Sequence, residues 1–356
     1  MFQNHITTSD GKFLDGENEF RFIGCNMYEL ANVDPSIAEK MLLSAKDQGF
    51  DVIRFWTFDG IKINNLKSVF DTAAKLNLRL IPVLADNWGY LQTDVINDEW
   101  YLNGYKKNYI KHTLDITAEF SDRKEILLWE LINEPASDDF DCVYNFAKDV
   151  INHIRKNNSS HLLSVGTIGG IGDKFGNEFS RLNSSYFKKL YSLPGLDAVS
   201  IHDYSFNSTI AERLDIHQRF KGKNTSSVIM KNLDKIINFF PEMIDRFTLK
   251  NYQDVYDIPL TIRSLWQRYI SKNIQTAKAL KKPVYIGEIG FKKRMGVLRN
   301  TVIEKEFNKY LDSEVSGILL WSFESESMSK DGHGYGFDES DGIKEVIERI
   351  KIKHRL

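Results

Sequence analysis

The sequence predicts a (β/α)8 barrel, a closed ring of parallel strands surrounded by helices. Eight short apolar segments, each five to eight residues long, alternate along the chain with longer segments of helical periodicity. Regular alternation of this kind is typical of a parallel sheet whose strands are joined by crossover helices. The count of eight favours closure into a barrel over an open, doubly wound sheet.

Each predicted element rests on the spacing of its apolar residues. The strand candidates are the apolar runs at residues 22–28, 52–57, 78–85, 126–132, 162–167, 198–204, 284–288 and 317–323. The helix candidates are the amphipathic segments at residues 37–48, 66–76, 105–120, 143–157, 186–193, 265–280, 302–311 and 343–350. Before the first strand, Asp10-Gly11 and Asp15-Gly16 mark turns between short apolar runs, which predicts an N-terminal β-hairpin.

One long segment interrupts this alternation after the sixth predicted strand. We place an insertion at about residues 205–262, with an extra helix at residues 228–240. Because the insertion follows a strand, it belongs to the carboxyl-terminal face of the barrel, where barrel enzymes have their active sites. It is either a lid that shapes a substrate site or a homodimer contact. No linker marks a second domain, so residues 1–356 are predicted to form one catalytic barrel domain.

The charge and the apolar content of the chain narrow its partners. A formal net charge of -2 and a pI near 6.5 do not provide the basic surface that nucleic acid or an anionic membrane attracts. No apolar run approaches the roughly 18 residues that a membrane span needs, and no leader-like segment precedes the hairpin. We therefore expect a cytoplasmic protein, or a secreted one if its native leader has been removed, without nucleic-acid or membrane partners.

Polar and aromatic side chains collect where the predicted strands end. In a barrel, the carboxyl ends of all strands meet at one face, so these side chains are predicted to form a single site. Arg54 and Glu288 lie inside apolar strands, where an unpaired charge is costly, and each is available as the partner of the other. The candidate site residues are Arg54, Trp56, Asn87, Trp88, Asn133, Glu134, His202, Tyr204, Glu288 and Trp321.

Two carboxyl groups among these residues indicate a reaction. Glu134 ends the fourth strand and Glu288 ends the seventh, so their side chains can converge over the barrel mouth from opposite sides. Cleavage of a glycosidic bond with retention of configuration needs two carboxyl groups roughly 5–5.5 Å apart, one protonated and one ionised. The pair is a candidate acid/base and nucleophile, and this chemistry requires no metal or organic cofactor.

Six short motifs in the predicted strands or at their ends resemble those of a known enzyme family, in the same order along the chain. Residues 129–135 read Trp-Glu-Leu-Ile-Asn-Glu-Pro and residues 287–290 read Gly-Glu-Ile-Gly, and together they resemble glycoside hydrolase family 5, within the clan A retaining glycosidases. The β-mannanase branch of that family is resembled by the motifs at residues 54–58 (Arg-Phe-Trp-Thr-Phe), 84–88 (Leu-Ala-Asp-Asn-Trp), 161–166 (His-Leu-Leu-Ser-Val-Gly) and 201–204 (Ile-His-Asp-Tyr). The similarity extends from about residue 22 to residue 323.

The resemblance implies a role for each catalytic group. Glu134 would be the acid/base, Glu288 the nucleophile, and Asn133 the residue that binds the 2-hydroxyl of the sugar at the cleavage point. Arg54 and Tyr204 would hydrogen-bond Glu288 and keep it ionised, which leaves the proton on the other carboxyl group.

The remaining candidates would shape the sugar site. The resemblance implies that His202 and Trp321 line the subsite at the cleavage point. Trp56, Trp88 and Trp321 can each either stack on the apolar face of a pyranose ring or pack in the core, because indole offers a broad, rigid surface with one polar handle.

The resemblance predicts hydrolysis of β-1,4-mannosidic linkages, in mannan or in manno-oligosaccharides, by double displacement. The same chemistry on β-1,4-glucan or glucomannan stays open, because Gly287 and Ile289 flank the nucleophile where the mannanase branch usually has Glu and Phe. Two further alternatives are a carbohydrate-binding barrel without turnover and a metal-dependent hydrolase that uses His202 and Asp203. The metal alternative lacks the additional ligands of a closed site. The predicted partner is a β-linked oligo- or polysaccharide.

Overall fold

The computed structural model contains the predicted closed barrel. It describes residues 2–89, 91–92, 94–137, 139–157, 160–168, 184–204, 262–296, 298–324 and 334–356. The eight barrel strands pair in parallel, and the ring closes where the last strand pairs with the first, with Gly317 opposite Phe22. The prediction of a (β/α)8 barrel is confirmed.

Every predicted barrel strand is present, and each end lies within two residues of the predicted one. Nearly all residues of these strands are buried, because core side chains fill the barrel and helices cover its outside. This burial on both faces explains why the strands are continuous apolar runs. The barrel strands, β4 to β11, are Phe22–Asn26, Val52–Trp56, Arg79–Val83, Leu128–Asn133, Leu162–Ile168, Val199–Asp203, Val284–Gly290 and Gly317–Trp321.

All eight helices that are predicted to surround the barrel lie in the part of the chain that the structure describes. Each buries one apolar stripe against the barrel, as Val143, Phe146 and Val150 do in the fourth of them. Burial of one such side chain stabilises the fold by roughly 1.5–3 kcal/mol. With one short helix that the sequence did not predict, the helices are α1 Pro35–Asp47, α2 Ile63–Leu76, α3 Asp98–Leu102, α4 Tyr109–Glu119, α5 Phe140–Lys156, α6 Ser184–Tyr191, α7 Ile262–Ala279, α8 Leu298–Asp312 and α9 Ile343–His354.

The short helix α3 and the start of α4 differ from the prediction. A 3-10 turn at Gly104–Lys106 replaces the predicted first turn of α4. The sequence signal for α3 is its N-cap: the side chain of Asn97 accepts a hydrogen bond from the backbone N–H of Trp100 at 2.9 Å. Asp98 and Glu99 in the first turn complement the helix dipole.

The predicted N-terminal hairpin is present as part of a three-stranded antiparallel sheet. Its strands are β1 Ile6–Ser9, β2 Lys12–Asp15 and β3 Asn18–Glu19. The turn at Asp10 and Gly11 has positive φ angles of 48° and 83°, which Asp tolerates and Gly adopts freely. Phe13 of this sheet packs against aromatic residues at the amino-terminal end of the barrel. The carboxyl-terminal face is therefore the one left for a site.

The predicted insertion at residues 205–262, including the helix at 228–240, lies almost entirely outside the described residues. Its role as a lid or a homodimer contact, and the extent of the single domain, stay predictions. Among the helices that the structure describes, none is long and apolar enough to cross a membrane.

Candidate active site

The strand ends bring the predicted carboxyl pair together. Glu134 directly follows β7 and Glu288 lies in β10, three strands away around the ring. Carboxylate oxygens of the two side chains and a ring nitrogen of His202 lie within 4.8 Å of one another. All three side chains are buried. The approach matches the separation of roughly 5–5.5 Å in retaining glycosidases and is shorter than the roughly 6.5–9.5 Å of inverting ones.

Both strands that carry these carboxyl groups contain a β-bulge just before them. In β10 the pairing with β9 shifts at Gly287, which places Glu288 opposite His202. In β7 the pairing with β8 shifts between Glu130 and Asn133. A bulge inserts one residue into a strand and turns the following side chains, and bulges are common beside active sites for this reason.

The backbone of Glu134 also departs from a regular strand. Its φ angle is +48°, in the left-handed region that is uncommon for residues other than glycine and costs on the order of 1–3 kcal/mol. Its N–H donates to the carbonyl of Gly166 at 2.9 Å, which fixes this turn. The side chain meets Trp88, whose Nε1–H donates to Glu134 Oε2 at 2.6 Å. His202 Nδ1 lies 2.7 Å from the other oxygen, Oε1.

His202 is a neutral hydrogen-bonding group beneath the pair. Burial lowers its pKa to about 4, against the opposing effect of Glu288. Two glycines provide the space for its ring: a Cβ atom at Gly166 or at Gly287 would lie 3.0 Å or 2.9 Å from His202 Nε2. A Cβ at Gly287 would also lie 2.2 Å from Ser200 Oγ, a collision. The glycine that precedes the nucleophile candidate is therefore required by this arrangement.

Glu288 accepts the two hydrogen bonds that the resemblance implies. Arg54 Nη1 donates to its Oε1 at 2.8 Å, and the Tyr204 hydroxyl donates to its Oε2 at 2.5 Å. The net pKa shift, however, is opposite to the predicted one. Burial raises the pKa of Glu288 above its ordinary value and Glu134 adds to the rise, while His202, Arg54 and Tyr204 only partly offset it.

A second carboxylate, Glu130, shares the charge of Arg54, and this explains why Arg54 does not lower the pKa of Glu288 below its ordinary value. Glu130 Oε2 accepts from Arg54 Nη2 at 2.6 Å and from Nε at 2.8 Å, and both side chains are fully buried. The Tyr285 hydroxyl donates to the other oxygen, Oε1, at 2.5 Å. The sequence predicts Glu288 as the partner of Arg54 and does not indicate Glu130. The available signal was a carboxylate inside the apolar run at residues 126–132.

Asn133 is held on both sides of its amide. Its Oδ1 accepts from Arg54 Nη2 at 2.7 Å, and its Nδ2 donates to Asp86 Oδ1 at 3.0 Å. The same Asp86 oxygen accepts the backbone N–H of Trp88 at 3.0 Å. Burial raises the pKa of Asp86 to about 6, even though Asn133 and Trp88 donate to it. Asp86 stands in a motif of the sequence but received no role there.

The three tryptophans occupy different positions. Trp56 is fully buried, with the guanidinium carbon of Arg54 4.5 Å from its ring centroid, so it contacts the site from the core side. Trp321 packs edge-on against Trp56 at 5.6 Å and is partly exposed. Trp88 is 38% exposed, which leaves ring surface for a ligand. Asn87 lies beside Trp88, and its Oδ1 accepts from the Tyr101 hydroxyl of α3 at 3.5 Å.

The proposed metal pair does not form. His202 faces the carboxyl pair, whereas Asp203 accepts from the Tyr310 hydroxyl of the outer helix α8 at 2.5 Å. Successive strand residues point to opposite faces, which separates the two. Glu134, His202 and Glu288 are close enough to hold a cation. His202 is hydrogen-bonded to Glu134, which also accepts from Trp88, while Glu288 accepts from Arg54.

A closed (β/α)8 barrel with two converging carboxyl groups at its carboxyl-terminal face is the architecture of retaining barrel glycosidases. The family model for cellulase (glycosyl hydrolase family 5) matches residues 15–327. The chain belongs to glycoside hydrolase family 5.

Curated relatives share lower identity over part of their length. Probable mannan endo-1,4-beta-mannosidase C of Aspergillus terreus (strain NIH 2624 / FGSC A1156) is 24% identical over an alignment of 261 residues, with 56% of this chain and 64% of that protein covered. Mannan endo-1,4-beta-mannosidase 1 of Oryza sativa subsp. japonica is 28% identical over an alignment of 244 residues, with 54% of this chain and 56% of that protein covered. The matches thus span less than two thirds of these relatives.

Solved structures share the fold over nearly the whole chain. The endo-1,4-beta-mannanase from Rhizomucor miehei has a TM-score of 0.70 at 18% identity and covers 99% of both chains. The endo-beta-1,4-mannanase from Thermotoga petrophila has a TM-score of 0.67 at 20% identity, with 95% of this chain and 77% of that chain covered. An endo-beta-1,4-glucanase from Xanthomonas axonopodis pv. citri has a TM-score of 0.59 at 14% identity, with 94% and 100% covered.

Proposed function

We propose that this protein is a retaining glycoside hydrolase that cleaves β-1,4-mannosidic linkages in mannan or manno-oligosaccharides. The observation that carries the proposal is the approach of Glu134 and Glu288 carboxylate oxygens within 4.8 Å at the barrel mouth. The names of the curated relatives, mannan endo-1,4-beta-mannosidases, support mannose as the sugar.

In the first step, Glu134 donates its proton to the glycosidic oxygen while a Glu288 oxygen attacks the anomeric carbon. The bond from that carbon to the leaving oxygen breaks, the leaving sugar departs as an alcohol, and a glycosyl ester remains on Glu288. Neutral His202 and Trp88, both in contact with Glu134, fix the direction of this carboxyl group.

In the second step, Glu134 is ionised and removes a proton from water as the water oxygen attacks the anomeric carbon. The ester bond to Glu288 breaks, and two inversions give net retention of configuration. Arg54 and Tyr204 receive the returning charge, because both donate hydrogen bonds to the carboxylate of Glu288. The partner of this chemistry is a neutral β-linked glycan, and neither step uses a metal or an organic cofactor.

The sugar preference depends on the 2-hydroxyl, which is axial in mannose and equatorial in glucose. We propose that Asn133 binds this hydroxyl, since Arg54 and Asp86 fix its amide next to Glu134. Hydrolysis of β-1,4-glucan or glucomannan is the second candidate, favoured by the fold similarity to the Xanthomonas axonopodis pv. citri endoglucanase. Product analysis on mannohexaose and cellohexaose would separate the two and would show the cleavage position.

Azide rescue tests the two carboxyl roles. With an activated aryl β-mannoside, Glu288→Ala should lose activity and regain it with azide as an α-mannosyl azide, because azide attacks from the side that the carboxylate vacated. Glu134→Ala should instead give the β-azide from the accumulated glycosyl enzyme. Full activity of either variant without azide would contradict its assigned role.

Two controls separate the other classes. Sugar affinity without any product after long incubation would show a carbohydrate-binding barrel, and activity abolished by a chelator would show a metal-dependent hydrolase. We also propose that a cytoplasmic form acts on imported manno-oligosaccharides, because polymeric mannan does not enter the cytoplasm, whereas a secreted form would act on the polymer.

A further inference from the structure

Glu130 and Glu288 compete for one buried cation. Arg54 donates two hydrogen bonds to Glu130 Oε2, at 2.6 and 2.8 Å, but a single one to Glu288, at 2.8 Å. The side chains of Arg54 and Glu130 are 0% exposed, so solvent does not screen their interaction. The cation is thus paired more completely with the residue that has no place in the bond-breaking steps.

The remaining contacts of Glu130 stabilise its ionised form. Burial opposes its charge, but Arg54 and the Tyr285 hydroxyl together lower the pKa of Glu130 below its ordinary value. Beneath the site, the ionised Glu130 and the cation Arg54 sum to about zero charge. Glu288 then receives a hydrogen bond from Arg54 without the attraction of an uncompensated positive charge.

We propose that Glu130 is a positioning residue that holds Arg54 by two hydrogen bonds and cancels its charge, which keeps Glu288 a basic and strongly nucleophilic carboxylate. A fully charged arginine alone would stabilise the Glu288 anion and slow its attack on the anomeric carbon. The inference rests on the proposed function for its kinetic test and on geometry for its titration test. The charged and titratable groups that face Glu288 are Arg54 from β5, Glu134 directly after β7, and His202 and Tyr204 from β9, and Glu130 from β7 contacts Arg54.

The kinetic experiment uses Glu130→Gln, which keeps the shape of the side chain and removes its charge. The acidic limb of the kcat/KM profile, which reports ionisation of Glu288, should move to lower pH by at least about one unit, because a charge within about 10 Å contributes at least about 1.7 kcal/mol at an effective dielectric constant near 20. A less basic carboxylate attacks more slowly but leaves more readily. With a dinitrophenyl mannoside limited by the second step, kcat should therefore rise while kcat/KM falls.

Tyr285→Phe is the matched control, since it removes a hydrogen bond to Glu130 and leaves the charge in place. Its acidic limb should stay within about 0.3 pH unit of the wild type, a small fraction of a full charge effect. An equal displacement of the limb in both variants, or a parallel fall of kcat and kcat/KM in Glu130→Gln, would show general loosening of the site and would overturn the proposal.

A titration of the Glu288 carboxyl carbon by NMR in the free protein needs no substrate. Glu130→Gln should lower the pKa of Glu288, and the double variant Arg54→Gln/Glu130→Gln, which leaves no unpaired buried charge, should return it towards the wild-type value. A pKa that is unchanged in the first variant, or clearly raised in the second, overturns the proposal. If the wild type cleaves no β-glycoside, the proposed function fails while this titration still decides the inference.

Discussion

We expect Trp88 to have two functions in this site, and one substitution separates them. Its ring is exposed enough to contact a sugar, while its Nε1–H donates to Glu134. Trp88→Phe keeps an aromatic ring and removes the donor. A hydrogen bond to a charged group contributes roughly 1.5–3 kcal/mol, so kcat/KM on manno-oligosaccharides should fall about 10- to 100-fold.

The loss should depend on the leaving group. The dinitrophenolate group of a dinitrophenyl mannoside departs without needing a proton. The activity of Trp88→Phe on this substrate should therefore fall much less than its activity on an oligosaccharide. An equal loss on both substrates would mean that the ring, and not its N–H, carries the effect.

Asp86 is predicted to decrease stability at neutral pH. Burial raises its pKa from 3.8 to about 6, so the folded state binds a proton more tightly than the unfolded state. The stabilising contribution of the protonated Asp86 carboxyl is fully present below pH 4 and is lost as the pH rises through about 6. A difference of about two units corresponds to about 3 kcal/mol. Asp86→Asn should therefore gain up to this amount at pH 7 relative to pH 4, measured by urea unfolding. A gain that is the same at both pH values would contradict the assignment.

At the scale of elements, the strands were predictable because each is buried on both faces and appears as an uninterrupted apolar run. The bulges in β7 and β10 were not, since a shift of register depends on the neighbouring strand and leaves little local pattern. Glu130 was missed for a related reason. The sequence shows that a charge in a strand needs a partner, but the partner of Arg54 is set by which side chains face inward from other strands.

The bulge at Gly287 gives a prediction for the pairing of β9 and β10. Gly287→Ala places a methyl group 2.2 Å from Ser200 Oγ and 2.9 Å from His202 Nε2. Overpacking of a buried site typically costs about 1–3 kcal/mol, and the displaced ring would withdraw from Glu134. We expect a lower midpoint in urea unfolding and a loss of kcat/KM larger than the loss of stability explains. Adding Ser200→Gly should recover most of the stability. Wild-type activity in Gly287→Ala would contradict the close approach.

The short helix α3 gives a second prediction at this scale. Asn97 caps it, and its Trp100 packs against Phe146 of α5 at 5.1 Å. Asn97→Ala should lower the unfolding free energy by about 1 kcal/mol, the usual contribution of an N-cap. Asn97→Asp should leave the unfolding free energy unchanged, because Asp caps equally well and its negative charge is favourable at a helix N-terminus. Equal stability of the alanine and aspartate variants would show that the cap has no effect.

At the scale of the whole molecule, buried histidines at both ends of the barrel make the fold sensitive to acid. Burial lowers the pKa of His202 in the site, and of His161 at the amino-terminal end, to about 4. Below about pH 6.5 these histidines bind protons in the unfolded state but stay neutral in the folded state. The free energy of unfolding therefore falls as the pH drops from 6.5 to 4. Each histidine accounts for about 3 kcal/mol over this range, a large part of a typical total of roughly 5–15 kcal/mol.

Asp86 acts in the opposite direction over part of the same pH range. Because the two histidines together contribute about twice as much as Asp86, they should still determine the sign of the change in unfolding free energy with pH. Urea unfolding between pH 7 and 4.5 should show a steadily decreasing free energy. In His161→Gln the slope should fall by more than half, because glutamine can keep the hydrogen bond to the carbonyl of Arg123 and does not titrate, and Asp86 offsets part of the remaining effect of His202. Identical slopes in the two proteins would mean that acid unfolding begins elsewhere, at the carboxylates and not at the base of the barrel.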